Sequence, residues 1–400
     1  MSRAERVARF VEWTRRRGVE ADGAELREFA DARGCGLVAT RTIRENEVFL
    51  KIPKELMITA GWVAERAPFT EILRNHRLEA FPILVLFVYE ESAAEQSDWR
   101  PFFDVLPAAF GTPLADGRLG AALPADRLPR RVRELLEKQR REFEDVHEAL
   151  SRALAPRPVD VRRLNWAWHV VNTRCIFVDN APHPLVAAGE AGDSLAVIPL
   201  VDMLNHAPHA ACVARFCRLQ QRYVVAAERR CVRAGEELLV CYGPHDNARL
   251  WLEYGFRLPD NAHNRVDLPT ELVLALAEEV GVEVTAERRR VIEEAALPCT
   301  LYALDVAPPY GLRKNAQLLL LPAAQLKDAK KWLYAPPADL EDDPQVDALV
   351  FRLLVALRVR LQRRAAETPP ELRWCWTDQT DVLENLFRLR EAEERGEDVE

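Results

Sequence analysis

No stretch of this sequence is apolar for long enough to cross a bilayer: the longest run, Ala80 to Tyr89, contains Pro82 and falls short of the ~20 residues a spanning helix needs. Basic charge is not in excess either. With 55 Lys and Arg against 63 Asp and Glu, the formal net charge is -8. That argues against non-specific nucleic-acid binding, which needs a concentrated basic surface to neutralise phosphates. An acidic balance is compatible with a basic protein substrate. The opening "MSRAERVARFVEWTRRRG" is charged throughout and lacks the continuous apolar core of a secretory signal. The eight cysteines have no short regular spacing, the pattern of reduced thiols and not of a disulfide framework. No internal repeat is visible, and only the terminal "EAEERGEDVE" reads as disordered. The expectation is a soluble protein of the cytoplasm and nucleus.

What is present is a large globular chain. Its 400 residues, 48% hydrophobic and 30% charged, suffice for a sizeable core and two domains. Helical spacing of Val7, Phe10, Val11 and Trp13, then Leu26 and Phe29, predicts a helix or two at the start. "RGCGLVATRTIRENEVFLKIP", Arg33 to Pro53, reads as a glycine turn leading into a β-hairpin. From Thr70 to Leu164 the pattern is mostly helical, broken near Pro101, Pro107 and Pro124. One amphipathic helix there places Val132, Leu136, Phe143, Val146 and Leu150 on a single face. Strand signals return between Asp193 and Tyr242 in "SLAVIPL", "ACVARF", "RYVVAAE" and "EELLVCYG". Beyond Asp267 the chain turns helical again, and the boundary is placed near Asn264.

Two strand-end clusters carry candidate chemistry. Asn205-His206 follows a run that is apolar but for Pro199 and Asp202, and Tyr242 ends a buried strand just before Gly243-Pro244. A tyrosine placed so can send its hydroxyl into a cleft while its ring stays packed. Taken singly, each reads better as a core residue, Tyr242 bonding a nearby carbonyl.

Taken together they resemble a family. "GCGLVATRTIRENEVFL", "DMLNH" and "GEELLVCYG" occur in the order and sense of the SET-domain lysine methyltransferases. The helical segment between the first two, and the helical end of the chain, are similar to the branch typified by the Rubisco large-subunit methyltransferase. "SDWRPFFDVLP", "WAWHVVNTR" and "CYGPHDNARLWLEYGF" narrow the likeness to one group within it. The resemblance implies an α+β fold: SET-type short β-sheets with a helical insertion (about 68–165) within residues 1–264, and an all-α C-terminal domain over 265–390 that helps form a substrate groove. Residues 391–400 would be an acidic tail.

The resemblance also implies S-adenosylmethionine as cofactor. Asn205 and His206 would meet its amino and adenine ends. Gly36 and Leu37 would allow close backbone approach, and Arg174 of "VNTR" would suit its carboxylate. Asp202, Tyr254, Gly255 and Phe256 would complete the pocket. Tyr242, with Tyr254 assisting, would orient the amine of a protein lysine, histone tails being among the conceivable substrates. That amine must be neutral to attack, at a cost of about 4 kcal/mol at neutral pH, which burial beside a sulfonium lowers. No metal is needed, no nucleic acid or membrane is expected as partner, and a monomer is expected.

Four other readings compete. His206, His209, Cys212 and Cys217 match zinc by residue type, but His206 has a role in the resemblance and the two cysteines flank apolar strand residues, so no metal is expected. Cys241 precedes Tyr242 on a strand and reads as a core thiol, not a nucleophile. Trp166, Trp168, Trp374 and Trp376 read as packing residues rather than an aromatic cage, and "FRLLVALRVRLQRRAAE" as a helix burying Leu353, Leu354, Leu357 and Leu361. A histidine-directed enzyme, or a non-catalytic SET-like binding module, are the alternatives to lysine methylation. The intact set Gly36, Arg174, Asn205, His206 and Tyr242 favours an enzyme.

Overall fold

Strand "RYVVAAE" shows why the sheet forms where it does: Tyr223, Val224, Val225, Ala226 and Ala227 are all buried, the near-continuous apolar run of a strand covered on both faces. The computed structural model describes residues 1–29, 34–116, 127–189, 194–327 and 343–395. In chain order the strands are β1 (Glu20–Ala21), β2 (Ala24–Glu28), β3 (Cys35–Ala39), β4 (Glu47–Pro53), β5 (Ile58–Thr59), β6 (Cys175–Phe177), β7 (Leu195–Val197), β8 (Asn205–His206), β9 (Cys212–Cys217), β10 (Arg222–Ala227), β11 (Glu237–Val240), β12 (Arg265–Asp267) and β13 (Thr300–Tyr302). The main sheet has the order β1-β4-β10-β9-β11-β3-β2, with β8 joined to β11. A second sheet has the order β5-β7-β6.

The chain forms two compact units, one of residues 1–119, 137–244 and 253–255, the other of 120–136, 245–252 and 256–400. The boundary expected near Asn264 lies earlier and is not a single point: the chain enters the second unit at His245 and again at Phe256, and residues 120–136 belong to it as well.

In the first unit the opening helix, Arg3–Arg16, buries Phe10 and Trp13, while Val11 is exposed. Leu26, expected on a helix, lies in β2 opposite Leu37. The hairpin expected over residues 33–53 is not between β3 and β4. Instead β3 pairs with β2, where Gly34 at φ 72° accepts from the Phe29 amide at 2.8 Å, and β4 pairs with β1 and β10. Asn46, left-handed at φ 64°, donates its amide to Ala227 at 2.6 Å and so commits the chain to β10. Helices Ala80–Ala93 and Val161–Arg174 pack against each other. The latter starts at Asp160, whose carboxylate accepts from the Arg162 and Arg163 amides, an N-cap that sets where Arg174 ends the helix. The amphipathic helix is Arg130–Ala153, with Val132, Val146 and Leu150 buried. Pro101 lies in the first turn of a short helix, Arg100–Phe103, and Pro124 is outside the described residues.

The second unit is helical as expected, with one two-stranded ribbon that no alternation in the sequence announces, β12 against β13 from Arg265↔Tyr302 to Asp267↔Thr300. Its helices include Thr270–Glu279, Tyr310–Leu320, Pro344–Glu367 and Trp374–Glu394. Leu353, Leu354, Leu357 and Leu361 face its core. Residues 391–394 of the expected acidic tail continue the last helix, and 396–400 are outside the described residues. Among the described residues no helix is long and apolar enough to cross a membrane.

Candidate active site

One strand draws three distant segments together. β11 begins antiparallel to β3, pairing Glu237↔Val38 and Leu238↔Leu37, and continues parallel to β8, pairing Leu239↔Asn205 and Val240↔His206. The glycine turn, the Asn-His pair and the strand leading to Tyr242 thus share one seam in the first unit.

Gly36 makes the seam tight. A Cβ there would lie 2.5 Å from Phe29 Cε2 and 2.8 Å from both Asn205 Nδ2 and Glu237 Oε1, so the position requires glycine for space. Leu37, its neighbour, is buried with its side chain in the core. Asn205 Nδ2 donates to Glu237 Oε1 at 2.7 Å and to the Cys35 carbonyl at 3.4 Å. Its Oδ1 takes no donor from the described residues, which leaves an acceptor for a ligand. Glu237 was not anticipated. The signal was an acidic residue opening an apolar strand, "EELLVCY", of which Leu238 is buried.

The 3₁₀ turn Val201–Met203 is entered through Leu200 at φ 73°, a strained conformation for a γ-branched residue. The turn serves two ends. It presents Asp202 to Arg174, whose Nη1 donates to the Asp202 carbonyl and to Oδ2, each at 2.9 Å. The Asp202 side chain is 0% exposed and that of Arg174 16%, so Asp202 stands behind Arg174 as its counter-ion. Burial pushes the Asp202 carboxyl upward against the pull of Arg174. Among the described residues Arg174 Nε and Asp202 Oδ1 are both buried without a hydrogen-bond partner, an uncommon state that calls for an explanation. The turn also offers the Leu204 carbonyl to the Tyr242 hydroxyl, which donates to it at 2.7 Å.

Tyr242 is held at several points. Its amide donates to His206 Nδ1 at 3.1 Å, its ring lies 5.1 Å from that of His206 and 5.0 Å from that of Tyr254. Burial drives its phenol well above the ordinary range, with Arg174 the main opposing charge; it stays protonated and cannot serve as a base. Tyr254 ends helix Asn247–Tyr254. Gly255, at φ 81°, approaches Gly111 so closely that a Cβ would sit 3.0 Å from its carbonyl carbon. Phe256 falls in the second unit.

β11 ends at Val240, so Cys241 and Tyr242 lie just beyond the strand and not on it as expected, and Cys241 is exposed, not the core thiol expected. All eight cysteines are free. Burial raises the Cys212 thiol to about 11, and among the described residues no three His, Cys, Asp or Glu side chains are grouped to hold a metal. Trp168 is buried and Trp166, Trp374 and Trp376 half-buried.

Comparison with known proteins gives the following. The SET domain family model matches residues 34–243. SET domain-containing protein 4 of Mus musculus is 30% identical over 254 residues, 60% of this chain and 56% of that protein, so the chain spans little more than half of that relative. The Drosophila melanogaster actin-histidine N-methyltransferase is 25% identical over 346 residues, 80% of this chain and 58% of that protein. A solved SET domain of LSMT bound to lysine and AdoHcy shares the fold, with a TM-score of 0.62 at 18% identity, covering 99% of this chain and 93% of that one.

Proposed function

The chain belongs to the SET-domain family, and from that premise we propose that it is an S-adenosylmethionine-dependent protein-lysine N-methyltransferase acting on histone or non-histone proteins. The observation that carries this reading is the seam itself: β3, β8 and β11 bring Gly36, Asn205 and the root of Tyr242 into register.

The residues present fit the cofactor. Among the described residues Asn205 Oδ1 is an unused acceptor for an ammonium, Gly36 leaves a cradle that a Cβ would fill, and Arg174 keeps a buried, unpartnered Nε–H that suits a carboxylate. Asp202, fully buried, would contribute by holding Arg174. His206, Leu37 and Gly255 would act through backbone and packing, and Tyr254 as an aromatic wall. When bound, S-adenosylmethionine supplies an electrophilic methyl group on a sulfonium.

The chain's own residues do the rest. Because the Tyr242 proton is committed to the Leu204 carbonyl, its oxygen can only accept from an incoming amine N–H. That fixes the nitrogen with its lone pair free, and in-line positioning supplies much of the rate. A protonated phenol takes no proton, so the amine must arrive neutral or release its proton to water, which desolvation favours. Tyr254, its ring against that of Tyr242, walls the same spot.

The AdoHcy and lysine bound to the LSMT SET domain support this reading; the actin-histidine enzyme supports histidine as the second candidate. The proposal extends to a monomer and to the cytoplasm and nucleus, the eight free thiols fitting a reducing compartment. The test is incubation of the protein with methyl-labelled S-adenosylmethionine and a protein lysate, followed by acid hydrolysis. Label in methyl-lysine is expected. Label in methyl-histidine alone would replace the lysine reading, and bound cofactor without transfer would leave a binding module.

A further inference from the structure

Glu253 sits where a carboxylate is unwelcome. It lies in the last turn of helix Asn247–Tyr254, the negative end of the helix dipole, where Lys or Arg would stabilise and an acid does the reverse. It is half-buried, and among the described residues it forms no ion pair with a cation. Two amides hold it instead. Asn172 Nδ2 donates to Glu253 Oε2 at 2.8 Å, and Gln139 Nε2 donates to the same oxygen at 3.3 Å. Gln139 is only 2% exposed, in the middle of a helix whose buried positions are otherwise apolar. Asn172 stands two residues before Arg174 on the last turn of helix Val161–Arg174. The same helix end therefore sets Arg174 against Asp202 and Asn172 against Glu253. Burial pushes the Cys175 thiol up to about 12, and the negative charge of Glu253 beside it adds to that.

The residue after Glu253 is Tyr254. On its other side the Gly255 turn is pressed against Gly111, and its ring meets that of Tyr242. We infer that Glu253 is a positioning residue: gripped by Asn172 and Gln139, it fixes where the Tyr254 ring stands over Tyr242. Neutral donors suit this role because they anchor the carboxylate without adding a competing positive charge beside a site that receives an amine. The inference rests on the methyltransferase reading for its effect on rate, but not for the geometry it asserts.

The experiment combines turnover with ¹⁹F NMR of protein carrying 3-fluorotyrosine, its Tyr254 and Tyr242 signals assigned through Y254F and Y242F. Four variants are compared: E253A, E253Q, N172D and the exchange N172D/E253Q. N172D sets two carboxylates against each other and E253A removes the anchor. Both should move the Tyr254 signal and lower kcat by about 10- to 100-fold, the scale of a small misplacement. E253Q, which can still accept from Asn172, should lose less than E253A. The exchange reverses the hydrogen bond and should return both signal and kcat toward wild type. An unmoved Tyr254 signal in E253A and N172D, or no recovery in the exchange, overturns the inference. So does E253Q matching E253A in turnover with its Tyr254 signal in place, since charge and not position would then matter. Absence of label transfer by the wild-type protein would count against the methyltransferase reading alone, leaving the fluorine signals to judge the position of Tyr254.

Discussion

Asn205 in the first unit and Asn247 in the second are both amides surrounded by other polar groups, yet they are used in opposite ways. Asn247, 4% exposed, spends every valence on protein. Its Nδ2 donates to the Leu258 carbonyl and to Asp378 Oδ2, and its Oδ1 accepts from the Leu258 amide and from Asn261 Nδ2. Asn205 uses its two donors, on Glu237 and Cys35, and among the described residues its acceptor stays open, while Arg174 Nε and Asp202 Oδ1 are buried there without partners. A saturated polar knot builds structure, whereas one with valences left over is prepared for a ligand. Residue type does not separate the two; the hydrogen-bond count does.

If the contrast is right, substitution should separate stability from binding. Asn247→Ala should give the largest stability loss, about 3 kcal/mol, because it removes four hydrogen bonds at once: the half-buried Leu258 amide and carbonyl and the Asp378 carboxylate lose a partner, and the buried Asn261 Nδ2 keeps only its bond to the His245 carbonyl. Urea unfolding followed on the second unit's helices checks it; a loss within about 1 kcal/mol, the net worth of a single ordinary hydrogen bond, would mean that the knot is not a structural element. Tyr242→Phe should lower turnover by about 100-fold, the cost of a misplaced amine, while the Kd for S-adenosylmethionine stays within about twofold, read from single-turnover kinetics alongside titration. Retained turnover would remove Tyr242 from its assigned role.

A smaller effect comes from His169, which is neither ligand nor catalyst. It is fully buried, with Nδ1 donating to the Asn165 carbonyl at 2.8 Å and Nε2 2.7 Å from Thr112 Oγ1. Burial lowers its pKa to about 4. The unfolded chain, with an ordinary imidazole, takes up a proton first as pH falls, so the stability His169 confers is complete above roughly pH 6.5. It is lost at up to about 1.4 kcal/mol per unit as pH falls toward 4. His169→Gln should flatten that slope in urea midpoints measured from pH 7 to 5; an unchanged slope would show that other groups set it.

Local pattern made the glycine turn, the Asn-His pair and the strand-end tyrosine legible, since each is a short run whose chemistry contrasts with its neighbours. What could not be read was pairing over distance. β3 and β4 follow one another but pair elsewhere, because register is decided by strands far along the chain. The groups that finish the site are equally remote: Glu253 meets Asn172 across 81 positions, and Asn205 meets Glu237 across 32. Ribbon β12–β13, with three residues per strand, is too short to show alternation. Alternation predicts opposite faces for Cys241 and Tyr242 but stops with β11 at Val240 and does not tell that Cys241 is open to solvent.

The central claim is that the seam of β3, β8 and β11 binds S-adenosylmethionine through valences left unused there. Calorimetric titration of the cofactor into wild-type protein and Asn205→Ala, with urea midpoints on the same samples, tests it most directly. The account predicts saturable one-to-one binding by the wild type and affinity about 10- to 100-fold weaker in the variant, the 1.5–3 kcal/mol of a hydrogen bond to charge, at nearly constant stability. Equal affinity in the two proteins, or no binding by either, would contradict it.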